Sequence, residues 1–186
     1  MTTAANRNDL GKRAGWIALL TAATFLGSFV FACATPFAAL GALAALNMRK
    51  RDAFALTLVN WLANQIVGYG FLHYPQTWDS FAWGAAIGVG AMIATAAAIG
   101  TVSVLRALPW AVTAVATLVV AAGAYELSLY AATAFLPTEP DAFSAHTVLY
   151  VLEVSGVAFA GLLILQGLGQ TIGLASSKSQ TAALAA

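Results

Sequence analysis

Long apolar runs joined by short polar connections dominate this chain. Four runs have the length of a membrane span: approximately Ala53 to Phe71, Ser80 to Val102, Leu108 to Phe135, and Ala145 to Gln170. A helix crossing the hydrocarbon core needs about 20 apolar residues. Leu136-Pro137-Thr138-Glu139-Pro140-Asp141 predicts the turn between the last two. Tyr69, Tyr74, Trp78 and Trp83 gather at one predicted boundary, as interfacial aromatics do. Trp61 breaks that pattern, because it lies well inside its segment.

The stretch from Gly15 to Met48 is too long for one ordinary span. As a single helix it would run about 51 Å, well beyond a hydrocarbon core. Pro36 offers a break. Splitting there predicts a normal first helix and a short second one ending near Asn47. The expectation is an all-α polytopic membrane bundle of six segments. The alternative is one kinked, tilted span over 15–48. Domain organisation follows: a cytoplasmic tail over 1–14, one transmembrane domain over 15–170, and a flexible cytoplasmic tail over 171–186.

Charge fixes the expected orientation. With six segments, Arg7, Lys12, Arg13, Arg49, Lys50, Arg51, Arg106 and Lys178 all face one compartment. The opposite loops carry Asp79, Glu139 and Asp141, and no Lys or Arg. The positive-inside rule then places both termini in the cytoplasm, in a plasma membrane or a bacterial inner membrane. Composition agrees: 61% of residues are hydrophobic, only 8% are charged, and mean hydropathy is +0.83. A soluble domain carries about 25% charged residues. The apolar run after Lys12 and Arg13 is long and leads into further spans, so it predicts a first helix rather than a cleaved signal. Arg49-Lys50-Arg51 reads as a topology anchor beside anionic lipid, and nucleic-acid binding is not expected. The single cysteine, Cys33, allows no internal disulfide and no thiolate metal site of its own.

The apolar spans hold a few polar residues that need an explanation. Glu126 and Glu153 fall at similar depth, about 13 and 12 Å from the noncytoplasmic ends of consecutive helices. An unpaired charge there costs at least about 2.5–3.5 kcal/mol, so each carboxyl should face protein or water. Raised pKa values, a cationic ligand or metal ion, and a proton shared during transport are all open solutions. Tyr130 is the i+4 neighbour of Glu126. Asn60 and Asn64 share a helical face, and Trp61 and Gln65 make an adjoining one. Amides in lipid usually bond across helices, yet an aromatic ring beside directed amides also suits a pocket wall. The loop with His73, Tyr74, Trp78 and Asp79 would cover that layer. His73, Asp79 and His146 offer ligand atoms, but their spacing is no metal signature. The candidate ligand-binding set is Asn60, Trp61, Asn64, Gln65, His73, Trp78, Asp79, Glu126, Tyr130 and Glu153.

Small residues form stripes. Ala82, Ala86, Gly90, Ala94 and Ala98 recur every four positions, with Gly84 and Gly88 beside them. Such a face lets another backbone approach, either inside the bundle or on a partner subunit. Ala34, Ala38 and Ala42 repeat the pattern. No Gly-x-Ser-x-Gly elbow, His-Glu-x-x-His site or Gly-x-x-x-x-Gly-Lys-Ser/Thr loop appears. An enzyme is therefore not expected, nor is a cofactor, and any ATP-driven activity needs another protein.

The six-segment, N-in pattern with a short broken second segment resembles the substrate-binding S components of energy-coupling factor vitamin transporters. The resemblance implies a ligand pocket near the extracellular side and docking to an energised membrane partner through small-residue faces. It maps the pocket onto Trp61, Asn64, His73, Trp78, Glu126 and Glu153. The family's Ala-x-x-x-Ala pattern corresponds to Ala14, Ala18 and Ala22. The implied function is a substrate-binding transport subunit for a small cationic or aromatic metabolite, thiamine-like in chemistry, or a metal ion. Carboxylates and tryptophans suit such ligands through ion pairing and cation–π contact. The rival expectations are a noncatalytic accessory or assembly subunit of a larger membrane complex and a small proton-coupled transporter.

Overall fold

The computed structural model describes residues 11–12, 14–23 and 36–172. Arg7, Arg13, Cys33, Ala34, Lys178, most of both tails and the turn of the predicted first hairpin lie outside them. Within them the chain is an all-α bundle. Its helices are α1 (Ala14–Ala23), α2 (Phe37–Asn47), α3 (Lys50–Gly70), α4 (Trp78–Val104), α5 (Trp110–Ala132) and α6 (Ala145–Thr171). The predicted runs match α3, α4 and α6 to within three residues at each end. α5 closes three residues early, because Thr133 to Leu136 turn back on Tyr130, Ala131 and Ala132 carbonyls.

The centre of the bundle is α2. Nine of its eleven residues are buried, so it is sheathed on every side rather than laid on a surface. It touches α3, α4, α5 and α6. Ala and Leu make most of it, and both are strong helix formers. Pro36 starts it, where a missing N–H costs nothing. Asn47 ends it by donating Nδ2–H to the Leu43 carbonyl at 2.9 Å. Two residues later, extended Arg49 opens α3, so α2 and α3 form a tight hairpin.

Close approach explains Gly41, Gly88 and Gly90. A Cβ at Gly41 would sit 2.8 Å from Thr95 Oγ1 and 3.3 Å from the Thr95 Cα, so α2 crosses α4 almost backbone to backbone. Thr95 also shares a 2.8 Å hydroxyl contact with Thr57 of α3. The same Thr95 thus ties three helices at one level. Higher up, the Trp61 ring covers Gly88, and Trp61 Nε1–H donates to the Gly84 carbonyl at 2.8 Å. Tyr69 and Ser80 close the α3–α4 pair with a 3.1 Å hydroxyl contact. α4 and α5 pack against each other over most of their length, with Gly90 against Tyr125 and Ser128. α5 and α6 touch only slightly. Ser144 caps α6 by accepting from the Thr147 N–H.

Among the described residues, three helices are long and apolar enough to cross a bilayer: α4, α5 and α6. Length and composition thus show a polytopic all-α bundle with at least these three spans among the described residues. α2 spans only about 16 Å and cannot cross alone. α3 has the length, about 31 Å, but carries Lys50, Arg51 and Asp52 in its first turn and three amides in its middle.

The Gly41 crossing yields a stability prediction. Gly41→Leu should destabilise the purified protein by about 1–3 kcal/mol through overpacking against Thr95. Gly161→Leu should leave it unchanged, because nothing lies within 4 Å of a Cβ there. Thermal unfolding in detergent, followed by tryptophan fluorescence, checks both.

Candidate functional site: the polar layer where α2 ends

The hairpin register sets the depth of the site. Phe37 lies eleven positions before Met48, and Asn60 lies eleven positions after Arg49. Both are therefore about 16 Å from the turn. Gly41 and Thr57 meet Thr95 one turn lower, which confirms the alignment. Asn60 thus sits level with the first residue of α2. Across the bundle, the Phe37 and Tyr125 rings are 6.2 Å apart, bringing α5 to the same level. Gly90, which faces Tyr125, completes the layer from α4.

Below this layer the buried positions are mostly apolar. The inward face of α3 runs through Ala53, Leu56 and Thr57, all fully buried. Above Thr57 the same face turns to amides, Asn60 and then Asn64. Asn60 is fully buried, and both Nδ2 and Oδ1 lack a hydrogen-bond partner. Leaving one such group unpaired costs about 1–3 kcal/mol. Thr21 Oγ1 and Gln166 Oε1 share that condition among the described residues, but each has a single orphaned atom. Asn60 alone presents a donor and an acceptor side by side. Asn64 is partly buried and accepts from Gln65 Nε2–H at 3.3 Å. The α2 N-terminus adds a partial positive charge, and no side chain caps it.

The other predicted residues divide into three groups. Trp61 and Gln65 turn toward α4: Trp61 packs on Gly88, and Gln65 lies over Gly84. They brace two helices and hold α3 so that the neighbouring face, with Asn60 and Asn64, points inward. Glu126 follows Tyr125 on the margin of the buried face of α5 and is partly buried. Tyr130 is exposed at the outer end of α5, edge-on to Phe143 at 5.6 Å. Glu153 is exposed, on the side of α6 away from its buried residues. The two carboxylates expected to converge therefore do not share an enclosed cavity, and that expectation is corrected. Equal depth puts two residues in one layer; only the helical angle decides whether they meet.

A second feature lies at the rim. An open groove of about 460 Å³ is lined by Asp79, Trp83, Pro137, Thr138, Glu139, Ala142 and Phe143. Trp83 Nε1–H donates to the Pro137 carbonyl at 2.8 Å and fastens the α5–α6 connection to α4. The groove joins two carboxylates to two aromatic rings. Asp79 was expected here. Glu139, Trp83 and Phe143 were not, although Glu139 sits in an evident turn and Trp83 among the interfacial aromatics. Trp78 and His73 are exposed on the same rim, and His73 has a positive φ of 56°. Among the described residues no three His, Cys, Asp or Glu side chains gather as a metal site.

The small-residue stripe is also divided. Ala94 and Ala98 are fully buried, and Gly90 is covered by Tyr125 and Ser128. Those three pack inside the chain and are not free to dock a partner. Ala82 and Ala86 are partly exposed.

Asn60 yields a prediction of sign. Asn60→Leu removes two orphaned polar atoms at similar volume, so the ligand-free protein should keep its unfolding temperature or gain up to about 1–3 kcal/mol. Thr57→Val breaks a made hydrogen bond and should cost about 0.5–1.5 kcal/mol. Detergent unfolding curves of the two variants compare them directly.

A comparison with protein-family models, curated proteins and solved structures finds no match for this chain.

Proposed function

We propose that this chain is the substrate-binding subunit of a membrane transport system, with six membrane segments and both termini in the cytoplasm. It takes a small cationic or aromatic metabolite, or a metal ion, from the noncytoplasmic side. The observation that carries this reading is the fully buried, unpartnered amide of Asn60 at the level where α2 stops. Buried amides are nearly always paired in folded proteins, so an orphaned pair aimed at an interior layer suits a missing solute. Broken helices ending near mid-membrane are a recurring way to build such sites.

Three further features support it. Tyr125 stands at the same level against Phe37, Asn64 lies one turn above Asn60, and partly buried Glu126 follows Tyr125 on α5. The rim groove offers Asp79 and Glu139 beside Trp83 and Phe143, an entrance suited to cationic and flat ligands. Ala14, Ala18 and Ala22 are all exposed on one side of α1, while Trp16 and Leu20 are buried on the other. That side suits docking of the energising subunit which the S-component resemblance implies. One observation favours the accessory-subunit reading instead: the exposure of Glu153 on an apolar helix face.

Native mass spectrometry after gentle extraction tests the choice. The transport reading expects a small molecule retained by the wild-type chain and lost from both Asn60→Leu and Glu126→Gln. A ligand retained equally by both variants, or stable assembly with another complex and no small molecule, contradicts it.

A further inference from the structure

Glu153 occupies the outward face of α6. The inward face carries Ser155, Phe159, Leu162, Gln166 and Gly169. At 3.6 residues per turn, Glu153 points about 160° away from Ser155. It shares its face with Val157, Ala160, Ile164 and Leu168, all exposed. It lies eight residues below Ala145, about 12 Å into a helix long and apolar enough to span a bilayer. A carboxyl group therefore sits within an apolar stripe that stays exposed among the described residues. Ionisable groups at such depth normally face protein, paired with a donor or an opposite charge. The adjoining glycines leave room for that protein. Nothing lies within 4 Å of a Cβ placed at Gly156, Gly161 or Gly167.

We propose that this face of α6 docks a membrane-spanning helix of a different protein, which presents a Lys, Arg or other cationic donor at the depth of Glu153. The glycines let the two backbones approach, and the charge pair fixes depth and rotation. Charge complementarity selects a different protein over a second copy. Two copies related by a twofold axis would bring Glu153 against Glu153. Arg49, Lys50, Arg51 and Arg106 lie at the α2–α3 and α4–α5 turns, at the opposite end of the bundle. This surface uses no residue of the Asn60 layer, so docking and solute binding succeed or fail separately.

Site-specific photo-crosslinking in membranes of the native host tests the proposal on the full chain. A photoreactive residue at Val157 should form one discrete adduct with another membrane protein that carries a basic residue in a span. The same probe at Val119, exposed on α5, should not form it. The adduct should fall on the order of tenfold or more in Glu153→Leu and Glu153→Lys. An acidic replacement of the partner's basic residue should restore it for Glu153→Lys. Glu153→Gln keeps the side-chain shape and should still lose most of the adduct, which guards against misfolding of the other variants. An adduct of twice the chain mass, no protein adduct, or a yield unchanged by Glu153→Leu and Glu153→Gln overturns the proposal.

Discussion

Every polar group inside hydrocarbon needs a partner, and this requirement organises the whole bundle. An eleven-residue helix ends within the membrane, so its ends cannot face lipid. α2 is accordingly enclosed by α3, α4, α5 and α6, and its lower end is closed by Asn47. Hydroxyls in the helices follow the same rule. Thr101 and Thr117 each donate to the carbonyl four residues earlier, and of the Thr57–Thr95 pair one hydroxyl donates to its own such carbonyl while the other donates across to it. Trp61 finds the Gly84 carbonyl because Gly84 and Gly88 leave α4 bare enough for an indole to lie on it. Against that background of satisfied groups, the Asn60 amide is an exception with a location: it lies where α2 runs out.

The same requirement separates the roles of the two spanning-segment carboxylates. Glu126 lies partly covered beside Tyr125, next to the polar layer. Glu153 faces outward among Val157, Ile164 and Leu168. One lies at the margin of the buried interior and the other on the exterior of the chain. The proposed solute-binding layer inside and the proposed partner surface outside are compatible, because they share no residue.

Much of the fold was legible in the sequence. Span length placed α3, α4, α5 and α6, and Pro36 with the 51 Å argument placed the break before α2. The number of full crossings was not legible, because α2 is apolar enough to resemble a span yet covers only about 16 Å. The site was legible in part. The polar cluster on α3 was evident from composition, and helical period correctly separated the Asn60–Asn64 face from the Trp61–Gln65 face. Which face looked inward depended on Gly84 and Gly88 of α4, a tertiary fact. For the glutamates, residue counting supplied depth but not azimuth, so the outward-facing Glu153 looked like a neighbour of the partly buried Glu126. The rim groove was missed because its walls come from segments more than fifty residues apart.

The account rests on the Asn60 amide being completed by something other than this chain. A high-resolution density map of the protein extracted with its native lipid decides this most directly. The account predicts non-protein density within hydrogen-bond distance of the Asn60 Nδ2 and Oδ1 atoms, at the level of Phe37 and Tyr125. An Asn60 amide bonded to side chains or backbone of its own chain, with that layer closed and empty of other density, would contradict it.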